Sequence, residues 1–283
     1  MKVNLDCIPC LMQQALKTAR MATSDEGLQE RVLRETARLM QDVSFDSKPP
    51  EIAHEVHRIV REVTKNTDPY REIKEHDNRM ALEMYPWLKE LVKSSKDQLY
   101  TAVKLAAAGN IIDYGVNQVF NVKETVKEVL GKEFAINQYE EFRRDLAQAR
   151  NIIYLADNAG EIVFDKLLIE MLGGKNVTLV VKGGPIINDA TVDDVRYVGL
   201  DELVEVDYMG NGMPGTGPGR TDSGFLSKLK EADLVLSKGQ GNYEGLNEEK
   251  YIYFLLMAKC QLIAEDIGVK KGDIVFCKGG GGG

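Results

Sequence analysis

The sequence predicts an α/β protein: a Rossmann-like, mostly parallel sheet flanked by helices, preceded by a helical N-terminal domain. Three observations carry this expectation. Apolar residues in the first half recur at helical spacing, on single faces. Short β-branched runs, at 152–155, 177–181, 204–206 and 234–236, crowd the second half and alternate with helical segments. That alternation is the signature of a parallel sheet built from βα units. Polar clusters follow three of these runs directly, where open α/β sheets hold their ligands.

In chain order, Leu11, Ala15, Leu16 and Ala19 share a face, Leu28, Val32, Leu33, Leu39 and Met40 make a second stripe, and Ile52, Val56, Ile59, Val60 and Val63 a third. Asp68-Pro69-Tyr70 interrupts the pattern, a helix resumes through Met80, Leu82 and Leu88, and another through Leu99, Val103, Leu105 and Ala106 ends near Gly109-Asn110. These features divide the chain into a helical domain at 1–145, which carries a Cys-x-x-Cys motif, and an α/β domain at 146–278. Residues 279–283 are all glycine and are expected to form a disordered tail. The Gly/Pro-rich stretch 210–219 is too irregular for helix or strand and reads as a flap or a linker.

With 283 residues the chain can bury a sizeable core, and its net charge of -8 argues against a nucleic-acid partner. No apolar run reaches the roughly 20 residues that span a bilayer, and the first residues lack the apolar stretch of a secretory leader. Four cysteines are too few for a secreted disulfide framework. A cytoplasmic protein without a membrane partner is therefore expected; oligomeric state is left open.

The chemistry centres on Asp157-Asn158-Ala159-Gly160-Glu161, which closes the run Ile152-Ile153-Tyr154-Leu155. A dinucleotide site would place several glycines here; Asp157 and Asn158 instead offer hard oxygen ligands suited to a divalent cation. An Asp-Asn pair after a strand also serves as a helix N-cap, so the pair alone does not decide. Two further clusters do: Lys182-Gly183-Gly184 with Asn188-Asp189, and Ser237-Lys238-Gly239-Gln240-Gly241-Asn242-Tyr243-Glu244. On parallel strands all three emerge at one sheet edge, bringing carboxylates, amides, lysines and glycine backbone together. That inventory fits metal-assisted phosphoryl chemistry.

Cys7-Ile8-Pro9-Cys10 opens a helix and, with Cys260, is a candidate second metal or redox site. Simple burial explains these cysteines equally well. Cys277 reads as a buried strand-end residue, and His54, His57 and His76 as surface residues.

Taken together, Cys7-Ile8-Pro9-Cys10, Asp68-Pro69-Tyr70 with Lys74 and Asn78, Gly109-Asn110-Ile111-Ile112-Asp113, Asp157-Asn158-Ala159-Gly160-Glu161, the block from Gly184 to Thr191, the block from Ser237 to Glu244, and Ala258-Lys259-Cys260 resemble the metal-dependent damage-control phosphatases, and among them the Cys-x-x-Cys subfamily of archaea and bacteria. The resemblance implies a helical domain followed by a Rossmann-like domain, with the active site between them. It implies metal ligation by Asp157, Asn158 and Asp189, with manganese, cobalt, nickel or magnesium as the ion. Lys238, with Gly239, would lie at the substrate phosphate, and Asn110, Asp113, Glu161 and Asn242 would be cleft residues. The implied substrate is a small phosphorylated metabolite, a sugar phosphate or a damaged phosphometabolite.

Such a centre hydrolyses by a metal-activated water, with Glu161 or Asp113 as base. Attack by Asp157 itself, through an aspartyl-phosphate, is the other route. Two other functions compete: an S-adenosylmethionine-dependent methyltransferase, which a Rossmann-like sheet can host, and a non-catalytic metal- or redox-responsive binding protein built on Cys7, Cys10 and Cys260.

Overall fold

The computed structural model describes residues 2–111, 119–209 and 223–280. The first three helices, α1 (Cys7–Ala22), α2 (Glu26–Gln41) and α3 (Pro49–Thr64), form a lobe with its own core of Leu11, Ala15, Ala19, Val32, Val56 and Val60. These are the stripe positions of the sequence, since a helix buries residues three and four apart. Asp25 caps α2 by accepting from the backbone N–H groups of Gly27 and Leu28 at 2.8 and 3.2 Å. His57 departs from expectation: it is buried, edge-on to Tyr70, because it sits on the inner face of α3 beside Val56 and Val60.

Two helices connect this lobe to the sheet, α4 (Arg71–Ser94) and α5 (Gln98–Gly109). Next come α6 (Val119–Gly131), the short strand β1 (Ile136–Asn137) and α7 (Tyr139–Gln148). The alternating part follows: β2 (Asn151–Leu155), α8 (Glu161–Met171), β3 (Asn176–Lys182), α9 (Val192–Tyr197), β4 (Glu205–Met209), α10 (Ser223–Glu231), β5 (Leu234–Lys238), α11 (Gln240–Leu246), β6 (Ile252–Met257), α12 (Gln261–Ile267) and β7 (Ile274–Lys278). Among the described residues the sheet has the order β1-β7-β6-β5-β2-β3-β4. All neighbours are parallel except β6 and β7, so the architecture is α/β as the sequence implies.

Three details differ from the sequence reading. The strand expected at 204–206 lies slightly later, as β4, with Thr178 of β3 opposite Glu205. The continuous apolar run of β6 is a central strand that the sequence alone does not separate from a buried helix. And β1, ahead of residue 146, belongs to the sheet. Cys277 is buried in β7, as expected.

The sheet is covered on both faces. Met84, Leu88, Val103, Phe164 and Leu168, from α4, α5 and α8, pack against Tyr154 and Leu179 on one side. Leu229, Leu246 and Ile263 pack against Leu155, Val235 and Phe254 on the other. Burial on both faces explains why the strands read as apolar runs rather than as alternating patterns. Among the described residues no helix is long and apolar enough to cross a membrane.

Candidate functional site

β2 lies between β3 and β5, so the connections leave it in opposite directions and a crevice opens at its carboxyl end. Asp157 and Asn158 occupy that position. The segment after β3 folds back onto it: Asn158 and Asp189 form an isolated bridge, Ala159 N–H donates to Asn188 O at 2.8 Å, and Ala190 N–H donates to Asp157 O at 2.8 Å. Backbone pairing thus brings together the two acidic residues and the amide that the sequence nominated as metal ligands.

Asn110, at the end of α5, and Asn158 each donate their Nδ2 to both Asp157 Oδ2 and Glu161 Oε2, at 2.8–3.0 Å. Asn110 Oδ1 accepts from Met257 N–H, fixing which way its amide faces. Asn110 and Glu161 are therefore in the cluster. Asp113 and the stretch 210–219 lie outside the described residues, as do 281–283 of the glycine tail.

Lys238 departs from the expected role. It is fully buried below the crevice, and its Nζ donates to Glu161 Oε1 at 2.7 Å, Asp165 Oδ1 at 2.6 Å and Ala106 O at 2.9 Å. An ammonium has three N–H donors, and all are used, so as placed Lys238 has none left for a substrate phosphate. The register of β5 turns this side chain inward, toward α5 and α8. Asn242 is likewise buried, donating to Ala156 O and Lys238 O and accepting from Lys182 Nζ at 3.1 Å. Gly239, with φ of 78°, is at the crevice floor against Asp157.

Charge balance sets the chemistry. Loss of solvation, reinforced by the charge of Glu161, pushes the Asp157 carboxyl up to about 6 against the pull of Lys259, Lys182 and Lys238. Burial likewise raises Asp189 to about 7, with Asp157 adding to it and Lys182 opposing it. Burial would raise Glu161 too, but the Lys238 ammonium and the Asn110 amide outweigh it, and its carboxyl falls below the ordinary value. Asp165 rises to about 7 through burial and the Glu161 charge, though Lys238 pulls against both. Its Oδ1 also accepts from Tyr154 OH, and its Oδ2 has no partner. At Asp157 and Asp189 burial outweighs the pull of the nearby lysines, and a dication is a group that would offset it. Among the described residues no three His, Cys, Asp or Glu side chains surround one point as ligands. The candidate set is instead two carboxylates and an amide, all oxygen donors, which fits a hard cation.

Several residues here had no individual role in the sequence reading, Lys182 standing only within the second polar cluster. Lys182, nearly fully buried, stands 3.7 Å from Asp189 and borders a cavity of about 540 Å³ that is also lined by Arg71, Lys74, Asn78, Gly183 and Thr191. Asn78 accepts from Gly160 N–H at 2.7 Å and donates to Asp194 Oδ1 at 2.9 Å, while Lys74 donates to Asp194 Oδ2 at 3.0 Å. Asp194 in turn caps α9 through Thr191. In this way α4 ties together the loops that carry Asp157 and Asp189. Lys259 is exposed, with its charge acting on Asp157. The sequence marks Lys74, Asn78 and Lys259 only as members of motif blocks. Cys7, Cys10 and Cys260 lie apart from the acidic cluster, in a second cavity.

Comparison with known proteins identifies the family. Residues 3–275 match the model of the damage-control phosphatase ARMT1-like domain. A damage-control phosphatase of Archaeoglobus fulgidus is 36% identical over 286 residues, covering 97% of this chain and 98% of that protein. A damage-control phosphatase of Pyrococcus horikoshii is 34% identical over 284 residues, covering 97% of each. The crystal structure of a DUF89 family protein from Pyrococcus horikoshii superimposes with a TM-score of 0.90 at 32% identity, covering 98% of this chain and 99% of that one.

Proposed function

Since the chain belongs to the damage-control phosphatase ARMT1-like family, we propose that it is a divalent-metal-dependent phosphatase that hydrolyses a phosphate monoester of a small metabolite, a sugar phosphate or a damaged phosphometabolite. The observation that carries the reading is the bridge between Asn158 and Asp189, which sets the carboxylates of Asp157 and Asp189 beside one amide at the crevice.

Asp157, Asn158 and Asp189 would hold the ion, manganese, cobalt, nickel or magnesium, with Asn158 presenting its amide oxygen in place of its N–H. The bound metal would supply Lewis acidity toward a phosphoryl oxygen and acidify water at neutral pH. Lys182, which borders the 540 Å³ cavity, and the exposed Lys259 would take over the phosphate-holding role expected of Lys238. They would offset charge that develops on the equatorial oxygens. Both oxygens of Glu161 stay engaged when the Asn158 amide turns, Oε1 by Lys238 and Oε2 by Asn110, so Glu161 orients the Asn110 amide. Of the two carboxylates that the sequence offers as base, Asp113 keeps that role in this proposal. Asp157, as a ligand, would have its carboxylate engaged by the cation, which favours attack by water over an aspartyl-phosphate.

The test is phosphate release from a panel of sugar phosphates and an aryl phosphate, on metal-stripped protein with each divalent ion restored in turn. Activity that returns with a divalent ion and is absent in a folded Asp157→Ala variant supports the reading. Unchanged turnover in that variant would refute it.

A further inference from the structure

Cys7 and Cys10 open α1, and Cys260 directly precedes α12, yet all three line one cavity of about 280 Å³ between the three-helix lobe and the α/β unit. All three are free thiols. Glu244 and Gln240 of α11 and Gln14 of α1 line the same cavity. We propose that Cys7, Cys10, Cys260 and Glu244 form a second metal site, for a thiophilic divalent cation of the zinc class, which clips the amino-terminal lobe to the α/β unit.

Three independent features point to a ligand here. The first is donor chemistry. Three sulfurs and one carboxylate make a four-ligand set, and the Cys-x-x-Cys spacing supplies two of them from a single helical turn, a common arrangement in tetrahedral zinc sites. The second is the environment of the sulfurs. Each accepts a hydrogen bond from its own N–H donor: Cys7 from the Asn4 backbone at 3.5 Å, Cys10 from Gln14 Nε2 at 3.5 Å, and Cys260 from Gln240 Nε2 at 3.6 Å. Metal-bound sulfurs are held by donors placed in this way. Gln240 Nε2 also donates to Glu244 Oε1 at 2.8 Å, so one side chain orients two of the four ligands. The third is the carbonyl oxygen of Gln14, which is buried without a partner at the same cavity.

The Cys7 thiol donates to Asn4 Oδ1 at 3.2 Å. Binding would release the thiol protons to solvent. Among the described residues no three candidate ligands already surround one point, so binding must draw the sulfurs together. Cys10 is exposed on the first turn of α1, where such a movement disturbs little of the core.

Position gives the site a consequence. Lys259, whose charge acts on Asp157, adjoins Cys260, and its backbone N–H donates to Gln240 Oε1 at 3.0 Å. A cation held here would fix the segment from Gln240 to Cys260 beside the acidic cluster.

The test is titration of reduced, oxygen-free full-length protein with cobalt(II), followed by absorbance. A thiolate-to-cobalt charge-transfer band in the near ultraviolet is expected, displaced by zinc and at least tenfold weaker in Cys260→Ser and in Cys10→Ser, the second of which alters only an exposed helix start. Asp157→Ala should keep the band, because an oxygen-donor centre gives none; failure of the phosphatase reading therefore leaves this result untouched. Zinc should raise the melting temperature of the wild type and leave that of Cys260→Ser unchanged. Absence of the band in folded wild type, or an equal band in Cys260→Ser, overturns the proposal.

Discussion

A Cβ at position 239 would stand 1.8 Å from Asp157 Oδ2 and 2.2 Å from its Cγ. The Asp157 carboxylate therefore lies in space that only glycine leaves open, and Gly239 also holds a positive φ that a side chain would strain. Gly239→Ala is expected to displace the carboxylate by about an ångström and to lower kcat/KM by about 10²-fold. The backbone penalty should be about 1–3 kcal/mol, since φ of 78° with ψ of 162° is a region that essentially only glycine adopts. Steady-state kinetics beside thermal unfolding separates the two effects, and full activity in a stable variant would contradict this placement.

Lys238 neutralises Glu161 and Asp165 together inside the protein. Removing one partner of such a network leaves uncompensated buried charge, at about 3–5 kcal/mol. Lys238→Met is expected to lose stability on that scale in urea unfolding. A variant that loses activity while keeping its stability would return Lys238 to the substrate.

His57 is held neutral. Burial, followed by the charges of Arg61 and His54, lowers it from 6.5 to about 4, and its Nε2 has no partner. The unfolded chain then takes up the proton more readily, so stability falls as pH drops from about 6.5 to about 4. The loss approaches about 3 kcal/mol at the acid end. Unfolding measured across that range should show this slope in the wild type and a flatter one in His57→Phe. Equal slopes would contradict the burial argument.

How much of this was legible in sequence depended on range. Asp157 and Asn158 stood out because an apolar strand ends abruptly in polar residues, a local signal. Asp189 was readable by analogy of position, since it follows the next strand in the same way. Lys238 also follows that rule, yet its side chain turns inward. A strand alternates its faces, and only the packing of α5 and α8 shows which face lies over the crevice. Asn78, Lys74 and Asp194 act through hydrogen bonds between α4 and α9 that no local pattern encodes. His57 looked polar and peripheral because its identity hid the helical face that it shares with Val56 and Val60. The β6 run lacked the alternation that would have declared it a strand, for the reason that both its faces are buried.

The central claim is that Asp157, Asn158 and Asp189 form an oxygen-donor cation site on which turnover depends. Calorimetric titration of metal-stripped protein with manganese(II) tests it most directly, comparing wild type, Asp157→Asn and Asp189→Asn under reducing conditions. The wild type should bind at a site whose affinity falls at least tenfold in both variants, with phosphate release falling in parallel. Undiminished binding in Asp157→Asn and Asp189→Asn, or phosphate release unaffected by metal removal, would contradict the account.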